Sequence, residues 1–455
     1  MVPKNHTGPT AEISSYIVRT RYEDIPPEIV AFAKLCILDS VGCSIGGSHI
    51  RPGRIAAELW AELGGKSEST IFFTGQTVPC LHASYINSHL ANVLDYDDTD
   101  IGHPGACIVP PAIAVAERIG ATGKELITAV ILGYEVYRRI AWAIRPSPER
   151  YRRVRAFNAQ SFGAVTAAAS LLGLDEHTAT IAFGLAGANS RVPAGLKSGH
   201  GERPMSWVKN NCGWASMGGV LAALMAEKGY IASRTILDGD TGFWIMAGSD
   251  QCDFAAVTEA LGEKSQILQT SFKPYPCCRY MHTTLDALCM IRGRYGVDLN
   301  RVDKIHVASF SRLRDFLDCQ PASVVDAQFS LPYTLGMVAL GIPPGYQWLT
   351  EENLRNPAAL RIGSKVIYEL DQEAERIFFE KEQYRSTVTV KVGSLQYVER
   401  SEQPLGSPSN PLTETQLHNK FLDLAEPIIG SQRAKRLLDG ICSLEQLHSI
   451  SILFR

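Results

Sequence analysis

The segment from Lys124 to Trp142 is apolar on almost every side of the helix that its spacing predicts. A helix of that kind is stable in water only when other elements surround it. Two further segments, Gly163–Ser170 and Gly218–Ala226, are rich in alanine and glycine, whose small side chains let helices approach closely. The sequence therefore predicts a helical bundle with the first segment in its middle.

The pattern changes near residue 270. Two segments, Lys304–Phe310 and Ser386–Val392, alternate apolar and polar residues as strands do. After residue 402, Thr413–Gln416 and Ser443–Gln446 have the pattern of capping boxes that open helices. We expect a mainly α fold, in which a large all-helical domain carries an inserted, smaller α+β domain. The predicted domains are residues 1–268 with 403–455, and residues 269–402.

Composition narrows the classes of partner. The net charge of −3 gives no reason to expect nucleic acid or an anionic membrane as a partner. No apolar run approaches the ~20 residues that a membrane span requires, and Met1–Pro9 lacks the apolar core of a secretion signal. The 11 cysteines are scattered and lack the Cys-x-x-Cys spacing of zinc sites. We expect a cytoplasmic protein with reduced cysteines.

An acidic cluster interrupts the helical pattern, where Asp95, Asp97, Asp98, Asp100 and His103 fall within one short stretch. Carboxylates this close repel one another, so some must be hydrogen-bonded, solvated or shifted in pKa. Three roles could explain the cluster: a metal site, the capping of a helix, or a loop that carries acid–base catalysis. The spacing lacks the glycine and the distal glutamate of a calcium loop, and we expect no metal.

The flanking segments place this cluster at a helix end. Ala83–Leu94 is typical of a helix, and the next helix is expected to begin near Val109, with Pro110 and Pro111 in its first turn. Loops on a rigid scaffold carry a large share of catalytic residues. Histidine is the side chain that exchanges a proton near neutral pH, so the cluster with its histidine favours an acid–base site.

The same stretch resembles a known family. Leu90–Thr99 followed by His103-Pro resembles a signature of the MmgE/PrpD family, and Ser271–Ala287 resembles its Lys-Pro-Tyr-Pro…His…Asp-Ala motif. This family includes 2-methylcitrate dehydratase, cis-aconitate decarboxylase and iminodisuccinate epimerase. The resemblance implies a homodimer and the same domain layout, with the smaller domain as a lid over the site. Four further blocks match in the family's order: Gly133–Arg139, Ser206–Ala215, Ala327–Tyr333 and Pro404–Leu412.

The resemblance assigns roles to particular residues. Those it assigns to catalysis are Asp95, His103, Lys209 and Lys273. The residues predicted to bind a carboxylate substrate are Thr99, Tyr134, Arg139, Arg279 and His282, and the planar guanidinium groups of the two arginines suit a carboxylate.

Other interpretations of these residues remain open. A lysine in apolar company reaches to solvent or meets an anion, and Lys209 and Lys273 both have such surroundings. Partial burial would lower the pKa of such a lysine and make it a general base or acid. For Arg139, an internal ion pair with Glu135 one turn earlier is the alternative to substrate binding.

Some positions depart from the family pattern. Asn92 and Asp100 stand where many members carry histidine, and Phe157–Phe162 lacks the histidine that often precedes the family's Phe-Gly-Ala helix. The segment with Lys209 also lacks a histidine before its Gly-Trp. We therefore expect a pocket with fewer imidazoles than is typical, and a changed set of acids and bases.

These observations predict a cofactor-independent lyase of the dehydratase type, similar to 2-methylcitrate dehydratase. Its substrate would be a small di- or tricarboxylate that loses a proton next to a carboxylate, with cations stabilising the charge that develops. An epimerase of an imino- or amino-dicarboxylate and a cis-aconitate-type decarboxylase are the alternatives that use the same parts. A non-catalytic carboxylate-binding protein and a metal-dependent hydratase are rivals of other classes.

Overall fold

The computed structural model describes residues 8–154, 159–190, 205 and 212–454, and this part of the protein is mainly helical, which confirms the mainly α part of the predicted fold class. The helices are α1 (Pro9–Arg19), α2 (Pro27–Gly47), α3 (Arg51–Glu62), α4 (Cys80–Val93), α5 (Pro104–Ile119), α6 (Gly123–Ala143), α7 (Pro148–Val154), α8 (Gln160–Leu171), α9 (Glu176–Ala188), α10 (Cys212–Glu227), α11 (Phe243–Met246), α12 (Phe254–Thr258), α13 (His282–Tyr295), α14 (Val324–Gln328), α15 (Leu331–Leu340), α16 (Glu351–Leu354), α17 (Pro357–Gly363), α18 (Gln372–Lys381), α19 (Glu414–Ile429) and α20 (Ser431–Cys442). The strands are β1 (Ser69–Thr70), β2 (Thr77–Val78), β3 (Lys304–Ser309), β4 (Val366–Leu370), β5 (Ser386–Val392) and β6 (Leu395–Ser401).

Helix α6 lies inside the helical part, as its apolar composition predicts. It begins after Thr122, whose hydroxyl accepts a hydrogen bond from the Glu125 N–H, while the Glu125 carboxylate accepts one from the Thr122 N–H. This reciprocal cap satisfies two backbone donors that have no partner within the helix. Most residues of α6 are buried, because α5 and α8 pack against it.

Helix α2 is also central, and in the described part of the chain it alone is long and apolar enough to cross a membrane by length and composition. The expectation that no apolar run reaches that length is therefore wrong. Of its most apolar window, 78% is buried inside the protein, where α2 packs against α4, α5 and α19. These neighbours account for its composition, because a helix that is apolar all round needs apolar contacts on every side.

A four-stranded sheet lies where the sequence predicts strands. Its order is β4-β3-β5-β6, with β3 parallel to β4 and antiparallel to β5. The side chains of Ile305, Val307, Val388 and Val390 are buried, two from each of the central strands, and this period of two confirms the predicted strands. Helix α13 packs against β5 and β6 within a second hydrophobic core. The role of this part as a lid stays a prediction.

The N-terminal part is not all-helical, contrary to the prediction. Strands β1 and β2 pair in an antiparallel hairpin. The Glu117 carboxylate holds it to α5, accepting hydrogen bonds from the Thr70 N–H at 2.7 Å and from the Thr70 hydroxyl at 2.6 Å. Strands of two residues are too short to show an alternating pattern, so they could not be predicted from the sequence.

After the sheet, the chain returns to the helical core. Helices α19 and α20 both pack against α2, and the capping box predicted at Thr413 is present. The one predicted at Ser443 is wrong, because the Ser443 hydroxyl donates back to the Asp439 carbonyl at 2.8 Å and a short 3-10 turn follows. The domain boundaries near residues 268 and 403 stay predictions.

Candidate active site

The acidic cluster forms the loop between α4 and α5. Asp95 has a φ of 51°, in the left-handed region that aspartate adopts more readily than most residues with a side chain. Thr99 and Ser271 exchange two backbone hydrogen bonds of 2.8 Å, which fasten the loop to the segment that precedes Lys273. The Thr99 hydroxyl donates to the Gly102 carbonyl at 2.8 Å, so this predicted substrate contact also shapes the loop.

Helix α5 begins at Pro104, earlier than the sequence predicts, and Pro110 and Pro111 lie inside it rather than in its first turn. Pro111 has no N–H to offer the carbonyl of Cys107 one turn earlier. The Ser216 hydroxyl donates to that carbonyl instead, at 3.3 Å. The early start places the loop's last residue directly at the helix N-terminus.

Three side chains of this loop come together with a lysine from the second motif. The four residues, all buried, are Asp95, Asp97, His103 and Lys273. Lys273 Nζ lies 2.9 Å from Asp95 Oδ1 and donates to the Asp95 carbonyl, also at 2.9 Å. His103 Nε2 is 3.5 Å from the same Asp95 oxygen, and His103 Nδ1 is 3.0 Å from Asp97 Oδ2. The structure therefore brings together three of the four predicted catalytic residues. Lys209, the fourth, lies outside the described residues.

Asp97 determines which ring nitrogen of His103 carries the hydrogen. A carboxylate only accepts hydrogen bonds, so Nδ1, which lies beside Asp97, carries a hydrogen, and Nε2 lies nearest Asp95. Asn92 also donates to the Asp97 carboxylate, at 3.1 and 3.2 Å to its two oxygens. The amide that stands where many family members carry histidine thus helps to orient Asp97. Asp97 was predicted to lie in the cluster but was not among the predicted site residues.

The pKa of Lys273 moves in the direction opposite to the one expected. Burial lowers it, but the Asp95 and Asp97 carboxylates together raise it by more, so it lies above the ordinary lysine value. The expectation of a lowered lysine pKa is therefore wrong for Lys273. The Lys273 amine therefore carries its proton near neutral pH, which makes the side chain a fixed cation and a proton donor.

A second buried ion pair, which sequence analysis missed, joins Asp39 of α2 to Lys420 of α19. Lys420 Nζ is 2.6 Å from Asp39 Oδ1 and donates to the carbonyls of Tyr96 and Lys273 at 2.7 and 3.0 Å. The available signal was an aspartate in the most apolar part of α2 and a lysine on the apolar face of α19.

Tyr134, predicted to bind substrate, lies under the loop, and its hydroxyl donates to the Asp98 carboxyl. The Gly105 N–H donates to the same carboxyl at 2.7 Å, so Asp98 caps the N-terminus of α5. Burial, with the nearby Asp39, raises the pKa of Asp98 well above its usual range. These contacts make Tyr134 a support of the loop, and its contact with substrate stays a prediction.

Two substitutions of Asp98 separate hydrogen bonding from charge. Asp98→Ala is expected to lower the free energy of unfolding by about 2 kcal/mol, because the Tyr134 hydroxyl and the Gly105 N–H lose a buried acceptor. Asp98→Asn should cost less than about 1 kcal/mol, since the amide keeps a partner for both groups. Urea unfolding followed by circular dichroism measures both values. Equal losses would show that the charge, and not the hydrogen bonds, is what stabilises the loop.

His282 lies close to Arg279 and Lys273. Burial, with the Arg279 and Lys273 charges, lowers the pKa of His282 well below its usual value, so its ring is neutral. His282 Nε2 lies 3.2 Å from the Cys277 carbonyl, which fixes the hydrogen on that nitrogen. Burial lowers the pKa of Arg279 to about 10, and its Nη1 donates to the Leu405 carbonyl at 2.9 Å. Arg279 makes no ion pair with a carboxylate among the described residues.

Asp286, on the same helix as His282, gives stability a pH dependence. The Tyr275 hydroxyl and the Leu405 N–H donate to it at 2.9 and 2.8 Å. Burial raises the pKa of Asp286 to about 6, whereas an unfolded chain has about 3.9. The folded state therefore holds the proton more tightly, and the contribution of Asp286 to stability falls as the pH rises from about 4 to 6.

Removing this carboxyl should remove that slope. We expect Asp286→Asn to gain up to about 3 kcal/mol in unfolding free energy relative to the wild type between pH 4 and pH 7. Urea unfolding of both proteins at the two pH values measures the difference. A difference that does not change with pH would contradict the raised pKa.

Arg139 is not brought to this cluster. It forms the ion pair with Glu135 that was its alternative interpretation, at 2.7 Å, and it donates to the carbonyls of Glu259 and Ala260 at 2.7 and 3.3 Å. These contacts attach α6 to the end of α12. The assignment of Arg139 to substrate binding gains nothing from this placement and stays a prediction.

Asp95, Asp97 and His103 could also hold a metal ion, since one ligand atom of each lies within 4.8 Å of the others. The Lys273 ammonium already lies 2.9 Å from Asp95 Oδ1, and it competes with any metal for that carboxylate. The expectation that the site works without a metal stays a prediction.

The 11 cysteines are all free thiols.

Comparison with known proteins agrees with the motifs. The model of the MmgE/PrpD N-terminal domain matches residues 11–254, and that of the C-terminal domain matches residues 275–446. Cis-aconitate decarboxylase of Aspergillus terreus is 25% identical, over 98% of this chain and 95% of the relative. The human and mouse enzymes of that name are 23% and 22% identical, over 93% and 94% of this chain and 89% and 88% of the relatives. The resemblance seen in the six motifs is confirmed, and the chain belongs to the MmgE/PrpD family.

Proposed function

We propose that this protein is a cofactor-independent lyase that removes carbon dioxide or water from a small di- or tricarboxylate. The observation that carries the proposal is the buried contact of the Lys273 ammonium with Asp95, whose Oδ1 lies 3.5 Å from His103 Nε2. Both reactions develop negative charge on a carbon next to a carboxylate. A fixed cation in a buried site stabilises such charge, and an oriented imidazole moves the proton.

The roles of the residues follow from their protonation. Nδ1 of His103 donates to Asp97, which leaves Nε2 as the atom that accepts or returns a proton. Asp97 also stabilises the imidazolium that forms after proton uptake. Lys273 stabilises the developing charge and is the second proton donor. Arg279 presents a planar guanidinium, whose fork of N–H groups suits a carboxylate of the substrate.

We place decarboxylation of a cis-aconitate-like acid first, because relatives of that name align with nearly the whole chain. In this reaction the bond to the departing carboxylate breaks and carbon dioxide leaves. The electron pair shifts through the adjacent double bond to the carbon next to a remaining carboxylate. His103 or Lys273 then protonates that carbon. Dehydration, which sequence analysis favoured, uses the same parts, since a base removes the proton and an acid protonates the leaving hydroxyl.

The test is NMR of the protein, purified in the presence of a chelator, with cis-aconitate, citrate, 2-methylcitrate and iminodisuccinate in deuterated water. Loss of carbon dioxide with one deuterium in the product supports the decarboxylase, and loss of water supports the dehydratase. Deuterium uptake without a lost group would make the protein an epimerase and overturn the lyase proposal. Activity that disappears with the chelator and returns with a metal would favour the metal-dependent hydratase.

The alternative to an enzyme is a protein that binds carboxylates without turnover. Calorimetry with the same acids detects binding, and unchanged NMR spectra of a bound acid would support that rival. A homodimer, a cytoplasmic location and the lack of nucleic-acid and membrane partners stay predictions.

A further inference from the structure

Lys420 lies outside the motifs of the family signature, yet it contacts the backbone of both catalytic segments. Its side chain is buried, and its ammonium reaches Asp39 Oδ1, the Tyr96 carbonyl and the Lys273 carbonyl at 2.6, 2.7 and 3.0 Å. An ammonium has three N–H donors, so these three acceptors use all of them. The same ammonium lies 4.0 Å from the centre of the Tyr96 ring.

The two carbonyls belong to the two segments that carry the Asp95–Lys273 ion pair. Tyr96 follows Asp95 directly, and the other carbonyl belongs to Lys273 itself. The Asp95 carbonyl accepts a hydrogen bond from Lys273 Nζ, so two successive carbonyls of the loop point at ammonium groups. Asp95 has a φ of 51°, and left-handed conformations of residues other than glycine persist only where surrounding contacts hold them.

We propose that Lys420 is a positioning residue, which holds the backbones of Tyr96 and Lys273 so that the Asp95 and Lys273 side chains meet at the catalytic His103. The effect of Lys420 on catalysis rests on the proposed function. Its effect on the geometry of the site does not, because that geometry can be measured without turnover.

The chemistry of the pair supports a geometric role over simple stabilisation. Removing two charges from water is costly, and well-packed apolar residues in place of a buried ion pair often leave stability unchanged or improve it. An apolar pair at Asp39 and Lys420 would fill the space between α2 and α19. It would supply no donor to the Tyr96 and Lys273 carbonyls, which is the contribution that only the lysine makes.

The test compares Lys420→Met with the double variant Asp39→Leu/Lys420→Met. The single variant leaves Asp39 buried without its cation, so its melting temperature should fall. The double variant removes that charge, and its melting temperature should recover towards the wild type. We expect kcat to stay about 10²-fold low in both, because a displacement of about 1 Å in the reacting groups costs that much. Lys435→Met, on the exposed side of α20, is the control.

A second measurement does not need a substrate. In protein labelled with carbon-13 at histidine Cε1, the signal of His103 is identified by its loss in His103→Gln. We expect that signal to move in both Lys420 variants and to stay in place in the control. Wild-type kcat and an unmoved signal in the double variant would overturn the proposal. If no acid of the panel is turned over, the signal alone decides the positioning role, and the proposed function fails separately.

Discussion

Lys273→Met is expected to lower kcat/KM by about 10³-fold, the size of effect that follows the loss of a preorganised charge-stabilising group. The variant removes the ammonium that lies 2.9 Å from Asp95 Oδ1, and with it the cation next to the developing carbanion. Steady-state kinetics on the acid identified by NMR measures the loss. Lys304→Met is the matched control, because Lys304 is exposed on β3.

The same variant should lose stability as well as activity. Breaking a buried ion pair from one side costs about 3–5 kcal/mol, and the Lys273 ammonium also bonds the Asp95 carbonyl. Urea unfolding reports this loss separately, and kinetics at low temperature ensure that the assayed enzyme is folded. A folded Lys273→Met enzyme with kcat/KM within tenfold of the wild type would remove Lys273 from the catalytic site.

His103→Gln is expected to lower kcat by about 10³-fold, within the range for a general acid–base residue. Glutamine keeps a polar side chain for Asp97 to contact, so the melting temperature should change little. The kcat of the variant should also lose any pH dependence that comes from the imidazole. His306→Gln is the control, because His306 pairs with Glu369 on the sheet surface.

Asp97→Asn is the companion variant, since Asp97 acts through His103. We expect kcat to fall and KM to change little, because the amide lacks the charge that stabilises the imidazolium. If Asp97→Asn lowered stability but left kcat unchanged, the tautomer of His103 would have another origin. If His103→Gln kept its activity, the proton transfer would belong to another residue.

The regular elements of the fold were predictable because their patterns are long. The apolar segment from Lys124 to Trp142 became α6, and the alternating residues of Ser386–Val392 became β5. The ends of the helices were harder to predict, as the start of α5 shows. Pro104 and the pair Pro110–Pro111 are both plausible in a first turn, and the Ser216 hydroxyl that bonds the Cys107 carbonyl in place of the missing Pro111 N–H cannot be read from the local sequence.

The candidate site was predictable where its residues lie close together in the sequence. Asp95 and His103 share one motif with Asp97, and Lys273 lies in a second motif that a backbone bridge joins to the first. Lys420 was not predictable in this way. A single lysine in an amphipathic helix normally reaches to solvent, and its partner Asp39 is 381 residues away.

That separation has a consequence for synthesis of the protein on the ribosome. At about 5–20 residues per second, α2 leaves the ribosome long before α19, which covers part of its apolar surface. Until then, α2 lacks the face that α19 packs against and Asp39 has no cation beside it. A nascent chain therefore exposes apolar surface for many seconds, a state that chaperones recognise. Chains stalled before Glu414 should be soluble only with such help, and their catalytic loop should remain unformed.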